Sequence, residues 1–160
     1  MDRVQIVHEN FLRRMAAGDF PAGETDVSGM SADQAMALYR AQVLSRALDI
    51  ESRAMQARGE GFYTIGSSGH EGVAAVAAAL RPDDIAFLHY RAAAFQIARG
   101  AQVGADLCRD MLLSFACSTE DPTSGGRHKV LGSKALMIPP QTSTIASHLP
   151  KALGAANGIG

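Results

Sequence analysis

The sequence predicts an α/β fold rich in helix. Three stretches carry that reading: an amphipathic run from Ser31 to Arg58, an alanine-rich helix leading into the apolar run Ile85-Ala86-Phe87-Leu88, and a closing helix that opens near Ser147. Long helical periods beside a short β-favouring run are the alternation from which α/β layers are built. Apolar residues make up 47% of the 160 and charged residues 19%, a balance that buries a core and does not resemble a disordered chain.

The elements follow in chain order. Residues 1–18 read as a short helix and GDFPAGETDVSG (18–29) as an extended linker, so residues 1–30 are expected to form an arm and linker and residues 31–160 a single domain. Ser31 with Gln34 has the form of a capping box, in which two side chains satisfy unpaired backbone donors at a helix start. Behind it Met36, Tyr39, Val43, Leu44, Ala47, Leu48 and Met55 recur at helical spacing up to the stop at Gly59, and these are the expected buried face. A second helix is expected over 71–80, ended by Pro82-Asp83-Asp84, and Ile85–Leu88 then reads as a short buried strand. Two further helices are predicted over 91–98 and 105–117. The polar passage STEDPTSGGRHKVLGSK (118–134) is longer than a connection usually needs to be. In the last stretch Pro150 fits only a first helical turn, which sets the start near Ser147; Ile145, Leu149, Leu153 and Ala156 fall on one face. That helix is still apolar at Gly160, so the chain is expected to continue into a further part of the domain.

Several function classes are disfavoured. The net charge is −1 and no basic run exceeds a pair, so nucleic acid is not the expected partner. No apolar stretch is long enough for a bilayer, and the first residues lack the apolar core of a secretory signal; a cytoplasmic protein is expected. Cys108 and Cys117 are read as buried free thiols, being too far apart for a redox pair. The five histidines (8, 70, 89, 128, 148) show no zinc-ligand spacing, and no Gly-x-Ser-x-Gly elbow, Gly-x-Gly-x-x-Gly or Walker loop is present.

Three patches stand apart from this background. Gly61-Phe62-Tyr63 through Gly69-His70-Glu71 is small enough to admit a ligand or another backbone. His89-Tyr90-Arg91 follows the expected strand, where ligands of open α/β sheets bind, and the arginine fork suits phosphate oxygens. The third patch runs from Gly125-Gly126-Arg127 through Lys134 to Ser143-Thr144-Ile145. Read in order as GFYTIGSSGHEG, LRPDDIAFLHYRAAA, GGRHKVLGSKAL and STIASHLPKALGAA, these patches resemble the alpha subunit of thiamine-diphosphate-dependent 2-oxoacid dehydrogenases. The resemblance covers residues from about 31 to the end. It implies an incomplete, helix-rich front part of a transketolase-like, thiamine-diphosphate-binding fold. It further implies that Tyr90 and Arg91 hold the cofactor's diphosphate, that Ser143 lies near its aminopyrimidine, that Ile145 props it into its bent form, and that Phe62 borders the substrate pocket.

In that family the cofactor takes the electrons left when a 2-oxoacid loses carbon dioxide, and the acyl group passes to a lipoyl partner. The implied partners are a beta subunit or fused beta half and a lipoyl acyltransferase, in a hetero-oligomer. Magnesium is the implied second cofactor, and its Gly-Asp-Gly…Asn motif is expected beyond Gly160; no catalytic residue and no metal ligand is assigned within the chain. The Gly-Arg loop is about two residues shorter than the family form and lacks its histidine, Thr144 stands for the usual proline, and Ala92 and Ala93 replace polar residues. Two other readings stay open: a non-catalytic interaction fragment, and a thiamine enzyme of the acetoin-dehydrogenase type.

Overall fold

The computed structural model describes residues 3–20, 29–62 and 65–159. Most of the expected linker, residues 21–28, and Tyr63 and Thr64 of the first patch lie outside these. The chain divides into two compact units, Met1–Ser31 and Ala32–Gly160. The first carries helix α1 (Arg3–Ala16), which buries none of its residues. Its end is tied by Arg14, whose Nε lies 2.9 Å from the Asp19 carboxylate.

The second unit contains α2 (Ala32–Ala57), α3 (Val73–Ala79), α4 (Ala93–Gln102), α5 (Cys108–Phe115), β1 (Leu131–Ser133), β2 (Ile138–Gln141) and α6 (His148–Ile159). It is thus helix-rich with a small two-stranded antiparallel sheet. The order of helices and their approximate spans follow the sequence pattern. α2 begins at Ala32, directly after Ser31, and α6 begins at His148, which places Pro150 in its first turn, where no backbone donor is needed.

α4 is the centre of the core. Every residue from Ala92 to Gly100 is buried, and α2 and α3 pack against it. Alanines make this possible: Ala74, Ala77 and Ala94 have no exposed surface, so the helix axes can approach closely. Phe95, Ile97, Leu107, Met111 and Phe115 fill the remaining volume together with Leu131, Leu136 and Ile138 of the hairpin.

Three expectations are corrected. The buried face of α2 is Ala41, Ser45, Leu48, Asp49, Ser52 and Met55, whereas Met36, Tyr39 and Val43 are exposed. Small residues on that face, Ala41, Ser45 and Ser52, let α2 come close to the alanine surface of α4, with Leu48 and Met55 filling the space beside them. Residues 85–88 form no strand: Ala86 and Leu88 are buried as expected, but the pairing seen there is a single bond from Ala86 N–H to Met137 O (3.0 Å). A strand exists through its ladder, and these residues make none among the described residues. Cys108 and Cys117 are half-exposed free thiols, and Cys117 lies beyond α5 with φ 52°.

The passage expected as one long loop ends in a hairpin. Leu131 pairs with Gln141 and Ser133 with Ile138, with a bulge between. Pro139 and Pro140 are accommodated at that irregularity, where ladder donors are dispensable. Two α4 side chains anchor it. Gln96 Nε2 donates to Gly132 O (3.2 Å), and the buried Arg99 guanidinium donates from Nη1 to Leu136 O (3.3 Å) and Asp84 O (2.6 Å) while lying over the Phe95 ring. No helix among the described residues is long and apolar enough to cross a membrane.

Candidate functional site

The segment from Ile65 to Glu71 has one turn of its own, closed by His70 N–H on Ser67 O (2.9 Å). Several of its other polar groups are satisfied by side chains, most of them from other segments, because backbone without regular structure must find partners elsewhere. Lys129 Nζ donates to Ile65 O (2.7 Å) and Arg91 Nη1 to Gly66 O (2.6 Å). Both oxygens of Asp49 accept the Ser67 N–H, at 2.9 and 2.7 Å. Arg46 donates to Ser68 Oγ and pairs with Glu71 at 2.6 Å, and Glu71 accepts the Gly69 N–H at 2.8 Å. Charged groups from α2, from the turn before α4 and from the Gly-Arg loop therefore fix a segment that has no regular structure.

Close approach explains the glycine in its middle. A Cβ on Gly66 would stand 2.5 Å from Asp49 Cγ. Gly66→Ala is expected to cost about 1–3 kcal/mol, read as a lower urea midpoint at unchanged slope; an unchanged midpoint would mean that Asp49 is not seated against this backbone. In the third patch Gly126 is likewise required: its φ is +77°, and a Cβ there would lie 2.3 Å from Cys117 O.

Burial acts on the charges. The Asp49 carboxyl is held above its ordinary value by desolvation, which outweighs the Ser67 N–H bond and the Lys129 and Arg46 charges. Lys129 is pushed down to about 8, again by desolvation, with Asp49 opposing and Arg91 adding to the fall. Its ammonium also sits 5.1 Å from the centre of the Phe115 ring.

Beside this segment lies a group of rings. His70 and His89 stack in parallel with centres 5.1 Å apart, His89 lies 4.1 Å from Tyr90, and His148 meets His89 edge-on at 5.9 Å. Arg91 covers the Tyr90 ring at 5.3 Å. His89 is lowered by burial first, then by His70, His148 and Arg91.

Tyr90 and Arg91 thus sit half-buried between the first patch and the start of α6. Ser143 is half-buried in the turn before α6, where Thr142 and Thr144 share a hydroxyl bond of 3.3 Å, and Ile145 is 77% exposed. The His89–His148 contact brings this turn toward Tyr90. Phe62 is 76% exposed, and among the described residues no hydrogen bond, ion pair or ring contact joins it to the other four. A recess of about 530 Å³ lined by Ile85, Met137, Ile138, Pro139 and Pro140 includes none of the five.

Sequence reasoning missed Asp49, Arg46 and Lys129. The available signal was the small polar spacing Ser45, Asp49, Ser52 along α2, which marks a face pressed against backbone. His70, His89 and His148 lie in the patches singled out from the sequence, but no signal marks their meeting, which only the tertiary fold produces. Among the described residues no group of three or more His, Cys, Asp or Glu could hold a metal ion. No family model matches the chain, and no solved structure matches it.

Proposed function

We propose that this chain supplies the cofactor-positioning wall of a thiamine-diphosphate-dependent 2-oxoacid dehydrogenase first component, on the front part of a transketolase-like fold. The observation that carries the reading is Arg91: a guanidinium fixed through Nη1 to Gly66 O, beside Tyr90 and three histidines, all half-exposed. Such a cationic and hydroxyl-bearing surface suits diphosphate oxygens, because a planar guanidinium anchored on one side keeps its charge and remaining donors in a fixed direction. Ser143 and the exposed Ile145, in the adjoining turn, offer the polar and apolar side chains that an aminopyrimidine ring and a bent linkage would use.

The fit does not extend to magnesium. The described residues offer no metal-holding group, so the ion on the diphosphate needs donors other than these. When bound, the cofactor supplies the electron sink for decarboxylation. This chain's residues bind and orient, while a beta partner completes the site and a lipoyl acyltransferase receives the acyl group. An NMR titration with thiamine diphosphate and magnesium tests the reading. Affinity near millimolar, about 4 kcal/mol, is expected, with Arg91→Ala removing it. No perturbation of Tyr90 or Arg91 signals at millimolar cofactor would overturn the assignment.

A non-catalytic interaction fragment has its own support in α6. That helix buries no residue, and Leu149, Leu153 and Ile159 are 61, 65 and 72% exposed. Sedimentation with a beta subunit in the absence of cofactor separates the two: association that cofactor and Arg91→Ala leave unchanged favours this second reading.

A further inference from the structure

We propose that His70, His89 and His148 form, with Arg91, a phosphoryl-anion site that takes up protons as it fills. This deepens the cofactor reading and rests on it for the identity of the anion as a diphosphate. The argument begins with geometry. The His70 and His89 rings are parallel within 1° at 5.1 Å, and His148 closes on His89 at 5.9 Å, so three imidazoles from three different segments share one surface. All three are half-exposed, so a ligand in solvent can reach them.

The charges around them have one sign. His89 faces His70 from the first patch, His148 from α6 and Arg91 from its own turn, and each of these disfavours its protonated form. Tyr90 adds a ring and a neutral hydroxyl. The acid next to His70, Glu71, is committed to Arg46 at 2.6 Å and to the Gly69 N–H. Behind Arg91, Lys129 contributes a further positive charge that is matched by the buried Asp49. Like charges this close cannot all be filled at modest cost unless an anion joins them. A bound phosphoryl group would therefore favour the protonated form of His89, and by linkage protonation would tighten its binding.

The dependence has a distinctive sign. A phosphoryl ligand itself loses charge toward acid, its second ionisation lying near pH 6. Affinity that nevertheless rises as pH falls must come from groups on the protein.

The test is NMR of the histidine rings in the full chain, with inorganic pyrophosphate as the probe at pH 6 and pH 8. Expected are at least about tenfold tighter binding at pH 6, downfield movement of the His89 ring protons on ligand addition together with perturbed His70 and His148 signals, and loss of the pH ratio in His89→Gln. Should that variant fail to fold, His148→Gln is expected to reduce the same ratio, since α6 buries no residue and tolerates the change. Pyrophosphate that perturbs Arg91 while leaving the imidazoles untouched, with equal affinity at both pH values, overturns the proposal and leaves the cofactor reading intact. Pyrophosphate that perturbs neither overturns both.

Discussion

Replacing Asp49 by alanine is expected to lower the unfolding free energy by about 1–3 kcal/mol. Both carboxylate oxygens accept the N–H of Ser67, a residue 2% exposed, so the truncation leaves a buried donor with no acceptor. It also removes the opposite charge that faces Lys129. Asp49→Asn separates these two roles. The amide keeps an oxygen for Ser67, and since burial already disfavours the ionised carboxyl, losing its charge costs little; more than half of the loss should be recovered. Urea denaturation of both variants is the measurement. Equal loss in the two would assign the effect to charge rather than to the backbone acceptor.

The second large effect is a pH dependence centred on Lys129. Its folded value of about 8 lies below the ordinary 10.5, so above pH 8 the unfolded chain holds a proton that the folded chain releases. Stability from this group therefore rises with pH between about 8 and 10.5, and the cost of the buried ammonium is fully present below 8. The gap is worth about 3 kcal/mol. In Lys129→Met that rise should vanish, so the difference between wild type and variant shifts by about this amount from pH 7 to pH 10.5. Parallel stability curves over that range would show that Lys129 is solvated rather than seated between Asp49 and Phe115.

Both effects concern residues that pattern reading passed over, and the reason is physical. Helical periodicity finds apolar stripes, and on α2 it pointed to Met36, Tyr39 and Val43, which are exposed. The face that is buried carries Ser45, Asp49 and Ser52, because it meets the alanine surface of α4 and the loop around Gly66. Leu48 and Met55 of the apolar pattern are buried there too, so small polar residues share that face with large apolar ones. Likewise Ile85–Leu88 has the composition of a buried strand, and two of its residues are buried, but a ladder requires neighbours that composition does not reveal. Pro139-Pro140 argues locally against a strand, and tertiary bonds from Gln96 and Arg99 place a hairpin there regardless.

The sequence by itself determined the order and approximate extent of the helices, the start of α6 from Pro150, and the grouping of Tyr90 and Arg91 at the turn before α4. These depend on local rules: periodicity, missing backbone donors, and residues adjacent in the chain. Only the tertiary structure decided the lock on residues 65–71, drawn from Arg46, Asp49, Arg91 and Lys129, and the meeting of His70, His89 and His148. Residues distant in sequence share a surface only after the α4 core has closed, and burial then sets their charges.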